Sequence, residues 1–320
     1  MKAIRVHQTG GPEAMRLEDI PTPTPAEGQA LVKVHAIGVN FIDTYKRSGL
    51  YTVNLPFTLG EEASGTVEAV GDGVTNVKAG DKVVYANILG AYAEYVNVPA
   101  DKLVKIPESL EFKIAAAAML QGMTAHYLVY STYPLKAGET CVVHAGAGGL
   151  GLLLIQMAKM LGARVISTAS SEEKRALAKG AGADHVLPYE GFSEAVKELT
   201  QGKKADVVYD SVGKTTWEGS LSSLRVRGMM VLCGQSSGPV PPFDPQVLNQ
   251  KGGLFLTRPS LGHYLQTREE LEKRAGDVMR WAAEGKLEVR IGAEFPLSQA
   301  AEAHRKLQGR ETTGKVLLIP

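Results

Sequence analysis

A glycine-rich turn between two apolar segments constrains this chain more than any other feature of its sequence. Residues 140–168 run from a short apolar strand through the turn into an apolar helix and a second strand. Gly146, Gly148 and Gly151 fit the spacing G-x-G-x-x-G. We expect the first to permit a tight turn, the second to admit a pyrophosphate, and the third to let the helix pack close to the strand. Free N–H groups at the helix N-terminus would bind the pyrophosphate, so the segment predicts a dinucleotide site; the alternative is an empty structural turn.

Bulk composition narrows the class of protein. With 320 residues the chain is long enough for two domains, and its net charge of +1 with scattered basic residues argues against a nucleic-acid partner. The N-terminus has no apolar signal core, and the apolar run near 114–120 is too short to span a bilayer. The two cysteines, Cys141 and Cys233, are expected to be buried small hydrophobes in a reducing compartment. These features predict a cytoplasmic globular protein without a membrane partner.

The first 110 residues are rich in short valine-containing segments separated by turn residues. Four of them predict strands, at Leu31–Val39, Ser64–Val70, Lys82–Ala86 and Tyr92–Val98. Short strands at this spacing are typical of a small, partly open β-barrel.

From residue 111 helical and strand patterns alternate. A helix is predicted at Phe112–Tyr130, and the tail predicts helices at Arg268–Glu284 and near Ser298–Leu307 and a strand at Lys315–Ile319. Between them the pattern predicts helices Glu172–Gly180, Ser193–Thr200 and Thr215–Leu224 and strands Asp184–Leu187, Asp206–Asp210, Met229–Gly234 and Gly253–Thr257. Alternation of this kind indicates a doubly wound parallel sheet. We therefore expect a first domain formed by residues 1–124 and 265–320 and a cofactor domain at 125–264.

The end of the second strand of the glycine-turn unit indicates which dinucleotide binds. NAD-binding folds place an acidic residue there for the adenosine ribose, but residues 165–171 contain no carboxylate, and Lys174 and Arg175 follow. Hydroxyls and a cation suit a dianionic 2′-phosphate, so the sequence favours NADP over NAD. Alternatively, Ser170 or Ser171 merely caps the next helix, with two glutamates in its first turn.

Several motifs together resemble those of the medium-chain dehydrogenase/reductase superfamily. They are Asn40–Asp43, Gly60–Glu62, Gly80–Val83 and Ala145–Gly151. Residues 40–45, 208–213 and 257–261 are similar to the quinone oxidoreductases of the zeta-crystallin type. The resemblance spans essentially the whole chain. It implies an α/β protein with a GroES-like, partly open β-barrel catalytic domain and a Rossmann doubly wound parallel-sheet cofactor domain.

The same resemblance implies a set of site residues. Around the adenosine phosphate it places Ser170, Lys174, Tyr189 and Arg310. On the nicotinamide side it places Asn40, Asp43, Tyr45, Ser236 and Ser237, with Arg258 near the cleft and Gln121 and Thr124 at the hinge. The pyrophosphate turn would comprise Gly146, Ala147, Gly148, Gly149, Leu150 and Gly151.

The zinc ligands of the alcohol dehydrogenases in that superfamily are missing. Two cysteines cannot form a four-cysteine structural site, and Glu61 stands where the catalytic ligand histidine is expected, with Asn40 in the segment of a ligand cysteine. We therefore expect no metal. Without one, an acceptor that is already electrophilic, such as a quinone, is favoured. Asn40, Asp43, Tyr45 and Tyr51 are the catalytic candidates, although cofactor binding or lining of the cleft wall would also explain them.

The sequence thus predicts an NADPH-dependent quinone reductase. An NADPH-dependent reductase of alkenals or enones is the alternative enzyme, and a non-catalytic nucleotide- or RNA-binding crystallin-like protein is the alternative from another class. The apolar segments 229–234 and 253–257, expected at the far edge of the cofactor sheet, predict a homodimer joined through the cofactor domains.

Overall fold

The computed structural model describes residues 1–320, which form two compact units. The first unit comprises Met1–Met123 and Leu265–Pro320, and the second comprises Thr124–Tyr264. No helix of the chain combines the length and the apolar character that crossing a membrane requires.

The N-terminal part of the chain is mainly β-structure. Its only α-helix before residue 112 begins after the third strand. In chain order it contains β1 (Lys2–Val6), β2 (Met15–Asp19), β3 (Gln29–Val39), α1 (Phe41–Ser48), β4 (Phe57–Thr58), β5 (Glu62–Val70), β6 (Lys82–Ala86), β7 (Tyr95–Pro99), β8 (Val104–Lys105) and α2 (Phe112–Tyr127). Helix α2 continues into a π-helical turn, Leu128–Thr132.

The second unit alternates strands and helices. It contains β9 (Thr140–Val143), α3 (Gly149–Met160), β10 (Arg164–Thr168), α4 (Glu172–Gly180), β11 (His185–Leu187), α5 (Phe192–Leu199), β12 (Ala205–Asp210), α6 (Trp217–Ser222), β13 (Leu224–Leu232), α7 (Gln246–Gln250) and β14 (Phe255–Thr257). The tail then adds α8 (Arg268–Ala283), β15 (Ile291–Pro296), α9 (Ala300–Gln308) and β16 (Lys315–Ile319) to the first unit.

The sheet of the second unit has the strand order β11-β10-β9-β12-β13-β14, and every neighbouring pair is parallel. Counted from β9, this is the order 3-2-1-4-5-6 of a dinucleotide-binding Rossmann sheet. Strand β9 is buried along Cys141–Val143, as a parallel strand covered on both faces must be. The predicted doubly wound cofactor domain is confirmed.

The larger sheet of the first unit has the order β15-β16-β3-β5-β6-β8, with β7 also paired to β3. Strand β16 is parallel to β15 and antiparallel to β3, so the last strand of the chain lies inside the sheet. A separate three-stranded sheet, β2-β1-β4, completes this GroES-like domain. Its core is formed by small and branched apolar residues such as Val34, Ile37, Val83 and Leu318.

Some predicted boundaries are wrong. Strand β7 begins at Tyr95 and not at Tyr92, because Tyr92 turns into the core and is fully buried. Helix α6 is shorter than Thr215–Leu224, since Leu224 already pairs with Ala205 as the first residue of β13. Strand β13 therefore starts before Met229. Its pairing with β12 contains a register shift, which accommodates the residues between Leu224 and Met229 that interrupt the strand pattern of the sequence.

Two further expectations need correction. Of the two segments expected at the far edge of the cofactor sheet, only β14 is an edge strand, since β13 is paired on both sides. Both cysteines are unpaired, but only Cys141 is buried; Cys233 is half-buried because it lies just beyond the end of β13.

Candidate functional site

The glycine-rich turn joins the end of β9 to the start of α3. Gly148 is the N-cap of α3, and its N–H donates to the Ala145 carbonyl at 2.9 Å. The left-handed residue of the turn is Ala145, with φ at +53°, whereas Gly146 does not adopt that conformation. A Cβ on Gly146 would lie 2.1 Å from Oγ of Ser167. The first glycine is therefore required by close packing against β10, and not by the tight turn that the sequence suggested.

The other two glycines of the motif differ in what surrounds them. A Cβ on Gly151 would lie 2.3 Å from the Ala145 carbonyl oxygen, so this glycine lets α3 approach the turn, as expected. A Cβ on Gly148 would meet only that same oxygen, at 3.2 Å. Gly148 therefore leaves its outer face open, which is the property that a bound pyrophosphate needs. Ala147 is buried, while Gly149 and Leu150 are half-buried in the first turn of α3.

A buried histidine ties together three strand ends beneath this turn. Nδ1 of His144 lies 2.8 Å from the Thr168 hydroxyl, and Nε2 lies 2.9 Å from the Ser220 hydroxyl. Ser220 in turn donates to Oδ2 of Asp210 at 2.7 Å. Burial lowers the pKa of His144, although the nearby Asp210 carboxylate opposes this. The network joins the carboxyl ends of β9, β10 and β12, and so holds the edge of the sheet where a nucleotide binds.

The end of β10 matches the NADP expectation in its chemistry. Ser171 is the N-cap of α4 and accepts the Lys174 N–H at 3.3 Å, so the capping role belongs to Ser171. Ser170 is exposed, Lys174 is half-buried, and no carboxylate ends the strand. Arg175 is paired with Glu172 at 2.6 Å.

The remaining candidates of the second unit lie in loops after the strands. The Tyr189 ring stacks on His144 with centroids 6.2 Å apart. Ser237 donates to the Val212 carbonyl at 2.8 Å and accepts the Thr215 N–H, which fixes the loop after β13 against the loop after β12. Ser236 lies beside it in this loop and is half-buried. Arg258, after β14, is exposed, and Thr124 is buried in α2.

Gln121 and Arg310 belong to the first unit. Oε1 of Gln121, in α2, is buried and has no hydrogen-bond partner within the chain. Arg310 is exposed after α9, in a left-handed conformation with φ at +59°. An orphaned buried oxygen is costly, so Gln121 fits a residue completed by a ligand.

Two of the catalytic candidates, Asn40 and Asp43, lie at the N-terminus of helix α1. Asn40 is its N-cap, and its backbone N–H donates to Oδ2 of Asp43 at 2.8 Å. Tyr92 donates to the same oxygen at 3.0 Å, while Oδ1 of Asp43 is buried without a partner. Burial raises the pKa of the Asp43 carboxyl to about 7, against the opposing effect of those hydrogen bonds and of Lys315.

The Asn40 side chain joins a buried ion pair. Its Nδ2 donates to Oε2 of Glu62 at 2.9 Å, and its Oδ1 accepts from Nζ of Lys315 at 2.7 Å. Lys315 is also paired with Glu62. A Cβ on Gly38 would lie 2.1 Å from the Glu62 carboxylate, so a glycine in β3 makes room for the pair. Both polar atoms of Asn40 are thus used within the domain.

Glu61, at the position expected for a zinc-binding histidine, pairs with Lys46 of α1. Its other carboxylate oxygen is buried without a partner. No group of three or more His, Cys, Asp or Glu residues in the structure has the arrangement of a metal site. The cation next to Glu61 is therefore an ammonium group of the chain itself.

Tyr45 and Tyr51 form an aromatic pair at the surface end of α1. Their rings meet edge to face with centroids 5.4 Å apart, and Phe41 lies 6.3 Å from Tyr45. Tyr51 is exposed, as are Leu50 and Leu55 in the loop that follows α1. Tyr45 and Tyr51 thus belong to an aromatic and apolar surface, whereas Asn40 and Asp43 are buried, although all four catalytic candidates lie within residues 40–51.

Sequence reasoning missed the residues that hold Asp43 and Glu62, namely Tyr92, His304 and Lys315. Each lies far from its partner along the chain and belongs to no motif with a fixed spacing. A charged Lys315 inside an otherwise apolar terminal strand was the one available signal.

Comparison with known proteins agrees with this architecture. Residues 26–108 match the family described as the alcohol dehydrogenase GroES-like domain, and residues 149–277 match the family described as zinc-binding dehydrogenase. The chain is 46% identical to the quinone oxidoreductase of Pseudomonas aeruginosa, over 100% of this chain and 99% of that protein. It is 40% identical to the 2-haloacrylate reductase of a Burkholderia species, over 99% of this chain and 98% of that protein.

A solved structure is similar over the same length. The quinone oxidoreductase of Escherichia coli complexed with NADPH has a TM-score of 0.98 and 46% identity, covering 100% of both chains. Identity at this level over the whole length, together with a barrel domain and a Rossmann domain of the same kind, shows the family. The chain belongs to the quinone oxidoreductases of the medium-chain dehydrogenase/reductase family.

Proposed function

We propose that this protein is an NADPH-dependent quinone reductase that works without a metal. The observation that carries the proposal is the full-length similarity to a quinone oxidoreductase whose structure contains NADPH. The glycine-rich turn and the uncharged end of β10 support it, because they suit the pyrophosphate and the 2′-phosphate of that cofactor.

The residues present fit the cofactor. The open face of Gly148 and the first turn of α3, which includes Gly149 and Leu150, would hold the pyrophosphate; the exposed Ser170 and the cation of Lys174 would hold the 2′-phosphate. The orphaned Oε1 of Gln121 would accept a hydrogen bond from the bound nucleotide. We assign the other contacts to Gly146, Ala147, Gly151, Thr124, Tyr189, Ser236, Ser237, Arg258 and Arg310.

When bound, NADPH supplies a hydride from C4 of its nicotinamide ring. The work left to the protein is to position the acceptor and to keep water away. Asn40 and Asp43 would orient the reacting groups from the start of α1, and the rings of Tyr45 and Tyr51 would lie against a flat apolar acceptor. A quinone needs little further help, since its reduction yields an aromatic product.

The chemistry of the donor groups supports independence from zinc. Glu61 is engaged by Lys46, Asn40 is engaged by Glu62 and Lys315, and neither cysteine lies in the first unit. Catalytic zinc sites combine imidazole or thiolate ligands with any carboxylate, and no group of His, Cys, Asp and Glu residues in the chain has such an arrangement. Dialysis against a chelator should leave the activity unchanged, and a loss that zinc restores would contradict the proposal.

The test of the function is a panel of acceptors assayed with NADPH and NADH in parallel. We expect 1,4-benzoquinone and phenanthrenequinone to be reduced, and NADPH to be preferred over NADH. Much faster turnover of an alkenal than of every quinone would contradict the assignment. Binding of NADPH without turnover of any acceptor would instead favour a non-catalytic role.

One comparison favours a second candidate, a double-bond reductase. The Burkholderia relative, 40% identical, is named a 2-haloacrylate reductase, and its substrate class carries an activated carbon–carbon double bond. Reduction of such a bond requires a proton at the neighbouring carbon, so 2-chloroacrylate and an alkenal belong in the same panel.

We also propose a homodimer formed through β14. This strand is an edge strand of the cofactor sheet, paired only with β13, and Phe255 on it is 57% exposed. Light scattering after size exclusion should give twice the mass of one chain, and Phe255→Arg should give a monomer. A monomeric wild type at micromolar concentration would contradict this.

We also propose that the protein lies in the cytoplasm. Its two unpaired cysteines support this location, and cell fractionation would test it.

A further inference from the structure

A buried row of hydrogen bonds crosses the sheet of the second unit from the end of β12 to the end of β10. Oδ2 of Asp210 accepts from the Ser220 hydroxyl at 2.7 Å, and the Ser220 oxygen lies 2.9 Å from Nε2 of His144. Nδ1 of His144 lies 2.8 Å from the Thr168 hydroxyl. These four side chains are at most 1% exposed. We call this row the His144 network.

The partners fix the direction of each hydrogen bond in the His144 network. The Asp210 carboxylate also accepts from three further groups, namely the N–H groups of Val212 and Gly213 and the hydroxyl of Thr216. Because this carboxylate only accepts, Ser220 donates its single proton to it, and the Ser220 oxygen must accept from Nε2 of His144. Burial lowers the pKa of His144 against the opposing effect of the Asp210 charge, so the ring is neutral. Its Nδ1 has no proton and accepts from the Thr168 hydroxyl.

Thr168 is the residue at which this network meets the nucleotide-binding turn. Its hydroxyl is held by His144, and its carbonyl accepts the Gly146 N–H at 3.0 Å. The next residue, Ala169, is buried, and Ser170 then begins the exposed segment before α4. One residue therefore supports both the glycine-rich turn and the segment proposed for the 2′-phosphate.

Neighbouring groups hold the His144 ring in place. The Phe192 ring meets it edge to face with centroids 4.8 Å apart, and the Tyr189 ring stacks on it at 6.2 Å. The backbone N–H of His144 donates to the Tyr209 carbonyl at 3.1 Å, which extends the pairing of β9 with β12. With its backbone and its ring both fixed, the side chain cannot turn without breaking the two hydrogen bonds of the network.

We propose that His144 is a positioning residue of the dinucleotide site: protonated on Nε2, it fixes Thr168 and so places the glycine-rich turn for the pyrophosphate and the Ser170 segment for the 2′-phosphate. The proposal rests on the proposed function, because that function supplies NADPH as the ligand. The side chains of the network are buried and act on the ligand only through the turn and the segment that they support.

The test removes single members of the network while keeping the shape of the core. Thr168→Val deletes the hydroxyl that donates to His144 and keeps a branched side chain suited to a strand. Thr168→Ser retains the hydroxyl and is the conservative counterpart. Ser220→Ala deletes the acceptor for Nε2 of His144. Thr200→Val is the matched control, because Thr200 is another buried threonine of this unit, and its hydroxyl donates to the Val196 carbonyl of α5 at 2.7 Å.

The first readout is the tautomer of His144 in the ligand-free protein. It is measured from the nitrogen chemical shifts of the ring by NMR, with the signals assigned by their absence from His144→Gln. We expect the proton on Nε2 in the wild type, in Thr168→Val and in Thr200→Val. In Ser220→Ala we expect it on Nδ1, because the Thr168 oxygen is then the remaining acceptor of the ring.

The second readout is the dissociation constant of NADPH, measured beside the melting temperature. The melting temperature should fall in Thr168→Val and in Thr200→Val, since each loses a buried hydrogen bond. The dissociation constant should rise about tenfold in Thr168→Val and Ser220→Ala and match the wild type in Thr168→Ser and Thr200→Val. NADH lacks the 2′-phosphate, so its affinity should fall less than that of NADPH.

Three results would overturn the proposal. One is a wild-type His144 ring that carries its proton on Nδ1, or on both nitrogens, at neutral pH. Another is wild-type NADPH affinity in both Thr168→Val and Ser220→Ala. The third is a loss of affinity in Thr200→Val as large as in Thr168→Val, which would make the effect one of stability alone. The tautomer is measured without a ligand and the affinity without an acceptor, so a wild type that reduces no quinone would contradict the proposed function alone.

Discussion

Nζ of Lys315 lies 2.5 Å from Oε2 of Glu62, and the two side chains are 1% and 0% exposed. This pair joins β16 to β5 across the sheet of the first unit, with Asn40 bonded to both partners. Oε1 of Glu62 also accepts the Leu120 N–H of α2 at 2.5 Å. One carboxylate therefore connects strands and a helix from three parts of the chain.

Removing one partner of this pair should be strongly destabilising. Glu62→Gln leaves the buried Lys315 ammonium without a counter-charge, which should lower the free energy of unfolding by about 3–5 kcal/mol. Urea unfolding measures the loss. Glu294→Gln is the matched control because Glu294 and its partner Lys113 form an exposed ion pair, and it should cost less than about 1 kcal/mol. Equal effects of the two variants would contradict the assigned importance of the buried pair.

Substitutions at two glycines of the turn should affect protein stability and NADPH binding differently. Gly151→Ala places a Cβ 2.3 Å from a backbone oxygen that cannot move freely, so the melting temperature should fall. Gly148→Ala meets that oxygen only at 3.2 Å, so the fold should persist while NADPH affinity falls about tenfold, because the methyl group occupies the face meant for pyrophosphate. Thermal melting and fluorescence titration measure the two effects. Equal loss of melting temperature in both variants would refute the distinction.

The general architecture was predictable because it depends on local patterns. The alternation of strands and helices after residue 111 and the glycine spacing led to the parallel sheet, whose order the structure confirms. Strand β13 was placed too late because Arg225, Arg227 and Gly228 interrupt its apolar pattern, and only pairing with β12 and β14 holds them in a strand. Local propensity cannot anticipate such tertiary pairing.

The site was predictable to a similar extent. Asn40 and Asp43 could be named from a short motif, but the groups that hold them could not. The Tyr92–Asp43 and Lys315–Asn40 hydrogen bonds join residues 49 and 275 positions apart. No periodicity links residues so distant, and burial of Lys315 becomes acceptable only once Glu62 is placed beside it.

Cofactor choice should depend on the end of β10. Ser170→Asp introduces a carboxylate where the 2′-phosphate is expected, so the KM for NADPH should rise at least about tenfold while that for NADH changes little. Steady-state assays with both cofactors measure this. Ser193→Asp, the same change in the first turn of α5, is the control and should leave both constants unaltered. An unchanged preference in Ser170→Asp would place the phosphate elsewhere.

Acid should destabilise the first unit through His304. Its pKa in the folded protein is lowered to about 3, whereas the unfolded chain titrates near 6.5. The unfolded state therefore binds the additional proton between these values, and stability falls as the pH drops from 6.5 towards 3 by up to about 1.4 kcal/mol per pH unit. His304→Gln, which does not titrate, should show a shallower decline in melting temperature.

Asp43 has the opposite effect on the pH dependence of stability. Its pKa is raised to about 7 from 3.8, so the folded state retains a proton that the unfolded chain has lost, and stability falls as the pH rises through this range. Asp43→Asn should therefore steepen the acid decline that His304→Gln reduces. Parallel melting curves for both variants and the wild type would contradict these assignments.

The position of β16 inside the first sheet also determines when that sheet can form during synthesis. Translation proceeds from the N-terminal side, so β3 lacks its partner β16 and Glu62 lacks its cation until residues 315–319 have left the ribosome. The Rossmann unit, encoded entirely by residues 124–264, can fold before then. We therefore expect the sheet of the first unit to stay incomplete until then, so a ribosome stalled before residue 315 would carry a complete cofactor domain and an incomplete first domain.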